Sequence, residues 1–241
     1  MQLRLNPNLD VEAYARAYAE HKFVQIPDLF DANTAQAVEQ MLLTLPWRLV
    51  CQDDSRKIIL LTSEQLDAMS PQERRKLERG VFERAAQNFG YIYFTYPMIE
   101  AALSGWDRGH PIHGVTQLLN SPSVLEFTRR LIGYPGVTKI DAQASYYQRG
   151  HFLTVHQDDG DKKERRAAYT IGLSRNWQAD WGGLLMFIEG NGDVRRAYLP
   201  RFNVLTVFDG MMLHSVSAVA PFAPNRRLSI VGWFRDDPPG R

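Results

Sequence analysis

The second half of the chain holds a dense series of short segments rich in β-branched and aromatic residues. After Gly136, about eight such segments follow one another within about 100 residues, separated by turn-like clusters. They are VTKIDAQASYY, HFLTVHQD, AAYTIGLS, GGLLMFIE, VRRAYLP, NVLTVFDG, LHSVSAV and RLSIVGWFR. This density is typical of a sandwich or a jelly roll, so we expect a jelly roll over residues 136–241.

Residues 1–135 are expected to be mainly helical. Asp10 can cap a helix over VEAYARAYAEH, and Ser70-Pro71 followed by Glu73 forms a capping box before another. Ser121-Pro122 repeats the start signal, and Gly133 is typical of a helix stop. With no repeat or linker, the pattern favours a single domain, residues 1–241, in which a helical support packs against the jelly roll.

Composition narrows the classes of function. The chain has 241 residues, 44% of them hydrophobic, and a formal net charge of +1, which gives no electrostatic reason to expect a nucleic-acid or membrane partner. A single cysteine, Cys51, excludes an intrachain disulfide and fits a reducing compartment. No stretch approaches the roughly 20 apolar residues of a membrane helix. We therefore expect a cytoplasmic protein, and the oligomeric state stays open.

His156 and Asp158 are the first candidate metal ligands, in the stretch YYQRGHFLTVHQDDGD. On a regular strand, residues i and i+2 share a face, so both side chains point to one side together with Thr154 and Phe152, opposite Leu153. A buried carboxylate is costly unless it is paired or bound to a metal. The pair therefore indicates either a metal site or a polar end to a strand.

His214, in the strand-like segment GMMLHSVSAV, is a candidate third ligand. Two histidines and one carboxylate make up the facial triad of non-haem Fe(II) oxygenases, which leaves one side of the ion open for substrate and O2. The alternative is a metal-free jelly roll in which the same three residues have structural roles.

Arg227 is a candidate anion-binding residue. Alternation along RLSIVGWFR places Arg227 and Ser229 on one face of the predicted strand, while Arg226 points the other way. A guanidinium inside a β-barrel needs an anion. The distal carboxylate of a dicarboxylate cosubstrate would supply one, held by a charge-assisted pair to Arg227 and a hydroxyl bond from Ser229.

At this point the sequence resembles the Fe(II)/2-oxoglutarate-dependent dioxygenases, and most closely their prolyl 4-hydroxylase-like branch. The resemblance covers about residues 140–236 and rests on several motifs in a fixed order. They are Tyr147 and Gly150, His156-x-Asp158, Trp181-Gly182-Gly183-x-Leu185-x-Phe187, Pro200-x-x-Asn203-x-Leu205-x-x-Phe208, His214-x-Val216, Arg227-x-Ser229 and Trp233-Phe234. The implied fold is a mainly β, double-stranded β-helix (jelly roll, cupin-like) flanked by α-helices.

The resemblance also implies catalytic and cosubstrate roles. His156, Asp158 and His214 would be the catalytic Fe(II) ligands, and Arg227 with Ser229 would hold 2-oxoglutarate. Tyr147 would contact the same cosubstrate, O2 would be the oxidant, and ascorbate would stimulate the reaction.

One departure concerns a second cosubstrate-binding tyrosine, which related enzymes often place on the strand after His-x-Asp. In AAYTIGLS, counting points Thr170 and Gly172 inward, which puts Tyr169 in doubt as a ligand.

The expected function is hydroxylation of an unactivated C–H bond of a prolyl or amino-acid-like substrate, peptidyl or small, with release of succinate and CO2. One alternative is an AlkB-type oxidative demethylase of nucleic-acid bases, but its Arg-x-Asn-x-Thr-x-Arg pattern and a basic surface signal are absent. Another is a non-catalytic, cupin-like binding domain. The charged segment 158–166 is either a solvated turn or a substrate lid.

Overall fold

The architecture is a curved antiparallel sheet with helices on one side. A computed structural model describes residues 2–53, 55–158 and 164–238. Its helices are α1 (Val11–His21), α2 (Ala32–Leu43), α3 (Ser63–Ala68), α4 (Pro71–Ala85), α5 (Met98–Ser104), α6 (Ile112–Leu119) and α7 (Pro122–Ile132). Its strands are β1 (Phe23–Ile26), β2 (Arg48–Gln52), β3 (Ile58–Leu61), β4 (Tyr91–Tyr96), β5 (Lys139–Ile140), β6 (Gln143–Tyr147), β7 (Phe152–His156), β8 (Arg165–Gly172), β9 (Leu185–Ile188), β10 (Val194–Tyr198), β11 (Val204–Phe208), β12 (His214–Val216) and β13 (Arg227–Arg235).

The predicted helix starts are confirmed. The Asp10 side chain accepts a hydrogen bond at the start of α1, and Ser70 and Glu73 form a reciprocal capping box at the start of α4. Ser121 caps α7, which ends at Gly133 in the left-handed region with φ 66°. Caps satisfy backbone N–H groups that a helix leaves unpaired, and for that reason local sequence locates them.

Eight of the nine strands after Gly136 form two four-stranded antiparallel sheets, as a double-stranded β-helix requires, and the short β5 pairs with β13. One sheet has the order β6-β13-β8-β11, and the other has the order β7-β12-β9-β10. The predicted fold class, a jelly roll flanked by helices, is thereby confirmed.

The first 135 residues also supply strands β2, β3 and β4, which the mainly helical expectation did not include. β4 pairs with both β6 and β7, so it joins the two sheets, and β2 and β3 extend from it. The alternating aromatic residues of YIYFTY are a strand signal. One wall of the barrel therefore comes from the N-terminal half.

The largest apolar core lies between helices α1, α6 and α7 and the outer face of β6-β13-β8-β11. Ile112 and Leu131 on the helix side pack in one cluster with Ile171 and Ile230 of the sheet. Because side chains alternate along β13, burying Ile230 against the helices turns Arg227 and Ser229 towards the barrel interior. Among the described residues, none of the helices combines the length and the apolarity needed to cross a membrane.

Candidate metal centre

His156 and His214 lie directly opposite each other on paired strands. His156 is the last residue of β7, His214 is the first residue of β12, and the two are register partners. Their ring centroids are 4.2 Å apart. The sheet therefore brings together two histidines that are far apart in the sequence.

The structure corrects the expected faces of β7. His214 pairs with His156 whereas Val216 pairs with Leu153, so β7 contains one more residue than β12 over this stretch. Leu153 packs in the same apolar cluster as Val216, while Phe152 packs in a separate cluster beneath α3 and α4. The prediction that Phe152 shares a face with His156 is therefore wrong, because counting by twos assumes a strand without a bulge.

Asp158 completes the group from just beyond the end of β7. Its carboxylate oxygens lie 3.6 Å from Nε2 of His156 and 3.7 Å from Nε2 of His214. One ligand atom from each of the three residues can be chosen so that all lie within 4.8 Å of one another. The Asp158 N–H donates to the carbonyl of Gly210 at 2.9 Å, which ties this residue to the turn before β12.

The protonation pattern of the two histidines suits a metal ion. Nδ1 of His156 lies 2.9 Å from the carbonyl of Thr154, and Nδ1 of His214 lies 2.8 Å from the carbonyl of Met212. A carbonyl oxygen only accepts, so each Nδ1 carries the proton and each Nε2 keeps its lone pair. Two neutral imidazoles and one carboxylate are a donor set that fits Fe(II), and the backbone carbonyls fix both ring orientations.

Burial and neighbouring charges lower the pKa values of His214 and Asp158, which favours the deprotonated form of each. Burial lowers the pKa of His214, and the neighbouring His156 lowers it further. Burial on its own would raise the pKa of Asp158, but its interactions with His156 and His214 outweigh burial and leave that pKa below its ordinary value. Metal ligands must be deprotonated, so both shifts favour binding of a cation near neutral pH.

Arg227 is buried in the same interior, with 3% of its surface exposed. Its Nε donates to the Gly183 carbonyl at 2.7 Å, and its Nη1 donates to Ser229 Oγ at 2.9 Å. No carboxylate of the described ranges 2–53, 55–158 and 164–238 forms an ion pair with it. A buried cation without an anionic partner is costly, so this end of the barrel is suited to bind an anion.

Gly182 and Gly183 allow the backbone to approach the arginine closely. Both have positive φ, and a Cβ on Gly183 would lie 3.0 Å from Cδ of Arg227. The Gly182 carbonyl accepts a hydrogen bond from Nε1 of Trp177 at 2.8 Å. The conformation of the two glycines therefore lets the Gly183 carbonyl accept a hydrogen bond from the guanidinium and the Gly182 carbonyl accept one from the indole.

Tyr147 and Ser229 surround the guanidinium, whereas Tyr169 does not. The guanidinium carbon of Arg227 lies 5.0 Å from the ring centroid of Tyr147, and Ser229 Oγ is also 3.1 Å from Ser145 Oγ. Tyr169 points to the helix side, where its hydroxyl donates to the Asp141 carbonyl.

The predicted inward positions next to Tyr169 are confirmed. Thr170 and Gly172 line a small cavity that Arg227 also borders.

Two further side chains, Arg165 and Trp233, lie beside Asp158, and neither was assigned a role there from the sequence. Arg165 donates from Nη1 to the Asp158 carbonyl at 2.7 Å and stacks over Trp233 at 3.6 Å. The side chain of Trp233 lowers the pKa of Asp158 by less than the two histidines do, and its buried Nε1 has no hydrogen-bond partner among the described residues. Arg165 belongs to the segment 158–166, whose residues 159–163 lie outside the described residues.

Tyr93 is a third residue near the site for which no role was predicted from the sequence. Burial raises its pKa, its hydroxyl accepts a hydrogen bond from Gln143 Nε2 at 3.3 Å, and the charge of Asp158 raises the pKa further. Its ring stacks on Tyr147 with centroids 4.9 Å apart. Tyr93 thus lies between the group around Asp158 and the group around Arg227.

Comparison with protein families identifies the β-rich half. Residues 142–235 match the model of the 2OG-Fe(II) oxygenase superfamily. The expected resemblance and the expected enzyme class, a dioxygenase, are confirmed at this level. No curated protein matches this chain in sequence.

Solved structures share the fold of this chain over nearly its whole length. An oxidoreductase of the 2OG-Fe(II) oxygenase family from Burkholderia pseudomallei has a TM-score of 0.63 at 15% identity, covering 97% of this chain and 94% of that chain. A Pseudomonas putida prolyl-4-hydroxylase has a TM-score of 0.58 at 19% identity, with coverages of 94% and 99%. A Trichoplax adhaerens prolyl hydroxylase, in complex with a hypoxia inducible factor oxygen degradation domain peptide fragment, has a TM-score of 0.61 at 16% identity, with coverages of 94% and 89%.

Proposed function

We propose that the oxygenase uses Fe(II), 2-oxoglutarate and O2 to hydroxylate an unactivated C–H bond of a prolyl or amino-acid-like substrate. The observation that carries this proposal is the pairing of two groups in one barrel interior. A His-Asp-His set suits Fe(II), and Arg227, buried without a carboxylate partner among the described residues, suits the far carboxylate of a dicarboxylate.

Each side chain of the metal group has a role in this proposal. His156, Asp158 and His214 hold the iron, and the carbonyls of Thr154 and Met212 keep both imidazoles in the binding tautomer. When bound, iron with 2-oxoglutarate and O2 supplies the oxidation that yields succinate, CO2 and a hydroxylated substrate, with ascorbate as a stimulant. The chain itself holds the reactants in register and shields them from water.

At the other group, Arg227 anchors the cosubstrate. Ser229 accepts from Nη1 of the guanidinium, which orients it, and can offer its hydroxyl proton to the carboxylate. Burial raises the pKa of Tyr147 well above its ordinary value, so its hydroxyl stays protonated and can donate to the same anion.

A prolyl residue in a peptide is the favoured substrate, and a free amino acid or another small molecule is the alternative. Two of the three solved structures named above are described as prolyl hydroxylases, one of them with a bound peptide.

We also propose that residues 1–241 act as one domain, since β4 of the N-terminal half joins both sheets. A cytoplasmic location is proposed on the single cysteine, Cys51, which is buried.

Succinate release tests the function directly. The protein, loaded anaerobically with Fe(II) and then given 2-oxoglutarate and O2, is screened with prolyl peptides, free amino acids and methylated oligonucleotides. Succinate formation stimulated by a prolyl or amino-acid substrate, with that substrate gaining one oxygen atom, supports the proposal. Stimulation by a methylated oligonucleotide alone would instead indicate a demethylase. An Asp158→Ala variant is the inactive control, and no succinate with any substrate would contradict the proposal.

A further inference from the structure

Four aromatic rings form a row between the metal group and the arginine. We name this row the aromatic ladder, and its members in order are Phe89, Tyr91, Tyr93 and Tyr147. Successive ring centroids along it are 5.6, 5.7 and 4.9 Å apart. The first ring lies 5.5 Å from the ring of His156, and the last lies 5.0 Å from the guanidinium carbon of Arg227.

The two ends of the aromatic ladder differ in exposure and polarity. Tyr147 is buried beside Arg227, and the Tyr93 hydroxyl is hydrogen-bonded to Gln143. Phe89, at the outer end, is 42% exposed and has no polar atom in its side chain. The inner end thus suits the anionic cosubstrate, and the outer end offers a bare aromatic face next to a proposed iron ligand.

The position of Phe89 is fixed relative to His156 by backbone contacts. The next residue, Gly90, donates its N–H to Thr154 Oγ1 at 2.9 Å and accepts the Thr154 N–H at 3.0 Å. The carbonyl of Thr154 is the one that orients the His156 imidazole. A Cβ on Gly90 would lie 3.1 Å from Ala85, so glycine lets the end of α4 pack closely here.

We propose that Phe89 is a specificity-determining residue, which packs against an uncharged ring or aliphatic side chain at the substrate position to be hydroxylated. This inference rests on the proposed function and names the substrate class for the same site. The face of an aromatic ring gains dispersion and apolar burial from a saturated ring such as that of proline. It offers nothing to replace the lost hydration of an anionic side chain, so a carboxylate at that position is excluded.

Binding of matched peptides tests this role without turnover. The protein is loaded with Zn(II) and 2-oxoglutarate and titrated calorimetrically with four N-acetylated, C-amidated peptides that differ only in a central Pro, Leu, Asp or Lys. Wild-type protein is expected to bind the Pro and Leu peptides at least about tenfold more tightly than the Asp peptide. Phe89→Ala is expected to weaken binding of the Pro peptide about tenfold, and Phe89→Leu by less.

Phe82 provides the matched control. It is 47% exposed, and its ring stacks on Phe152, which is not a member of the aromatic ladder, with centroids 6.0 Å apart. Phe82→Ala is expected to bind all four peptides as the wild type does. Thermal melting of each variant checks its folding, and Phe89→Leu carries the test if Phe89→Ala does not fold.

Four results would overturn the inference. They are unchanged binding of the Pro peptide by Phe89→Ala, an equal loss in Phe82→Ala, a wild-type preference for the Asp or Lys peptide, and no binding of any peptide. Failure of the proposed function is seen separately, as wild-type protein that does not bind 2-oxoglutarate in the presence of metal.

Discussion

The metal group and the arginine group occupy the same barrel interior but balance their charges differently. At the metal group, the Asp158 carboxylate lies within 3.7 Å of both imidazoles, so its interactions with them offset the cost of burial. At the arginine group, the hydrogen-bond partners of the Arg227 guanidinium among the described residues are a carbonyl and a hydroxyl. The carboxylate of the first group thus has charged or ionisable neighbours, whereas the guanidinium of the second has no carboxylate partner in the described part of the chain, so its charge would be matched if an anion bound there.

Removing a proposed metal ligand should produce the largest effect, and that effect should be a loss of Fe(II) affinity. Asp158→Ala takes away the only anionic ligand, so Fe(II) affinity should fall at least about a hundredfold. Anaerobic calorimetry with Fe(II) alone measures this, and Asp193→Ala, at an exposed acid before β10, should bind iron like the wild type. Retained iron binding in Asp158→Ala would show that the three residues are not a metal site.

Removing the buried charge of Arg227 should weaken 2-oxoglutarate binding without affecting iron binding. Arg227→Met should lower 2-oxoglutarate affinity about a hundredfold, since truncating one partner of a buried charge pair costs about 2–5 kcal/mol, and iron binding should persist. Arg226→Met is the matched control, because that neighbouring arginine is exposed and lies over the ring of Tyr146. Equal 2-oxoglutarate affinity in both variants would rule out Arg227 as the anchor.

The buried charge of Arg227 should also affect the free energy of unfolding. Wild-type protein should gain about 2.7 kcal/mol of unfolding free energy at a 2-oxoglutarate concentration a hundredfold above Kd. Arg227→Met should show almost none of that gain, yet without ligand it should be as stable as the wild type or more stable, because it no longer buries an unpaired cation. Denaturant unfolding with and without 2-oxoglutarate measures both, and a strongly destabilised ligand-free variant would refute the comparison.

Acid should affect the metal group before the arginine group. Protons compete with Fe(II) for Nε2, and burial together with His156 lowers the pKa of His214 below 6.5, so that competition begins only at more acidic pH. Fe(II) affinity should therefore be nearly constant from about pH 8 to 6.5 and then fall, by about tenfold per pH unit once His214 becomes protonated. The guanidinium stays charged throughout. An iron-binding midpoint well above pH 6.5 would contradict this order.

The smallest effect should come from the hydroxyl next to the guanidinium. Ser229→Ala removes one neutral hydrogen bond, worth about 1 kcal/mol, so 2-oxoglutarate affinity should fall about fivefold. Ser145→Ala removes only the partner of Ser229 and should cost less. If the same titration shows a larger loss of 2-oxoglutarate affinity in Ser145→Ala than in Ser229→Ala, Ser229 is not the hydroxyl that contacts the cosubstrate.

Much of the site could be predicted because its residues follow strand periodicity. His156, Asp158, His214 and Arg227 come from alternating segments in a fixed order, and the sheet places them in one interior as expected. The bulge in β7 could not be predicted, since it depends on how β12 pairs with that strand. Strand alternation therefore grouped His156 with Asp158, which the structure also places together, but it misplaced Phe152.

The contribution of the N-terminal half was the main omission. The alternating aromatics of β4 are local and visible in YIYFTY, but their use as a wall of the site depends on pairing with β6 and β7. Arg165 was similarly hidden in a charged segment, and only the folded chain shows its hydrogen bond to the Asp158 carbonyl and its stacking on Trp233.

The helix caps, the jelly-roll strand pattern and the residues suited to Fe(II) and a dicarboxylate could all be predicted from local sequence. These features depend on neighbours a few positions away, where backbone geometry is repetitive. The tertiary structure decided the bulge, the union of the two sheets by β4 and the hydrogen-bond partners of Arg227. Each of these comes from contacts between residues far apart in the chain, whose geometry is set by the packing of the whole barrel rather than by any local pattern.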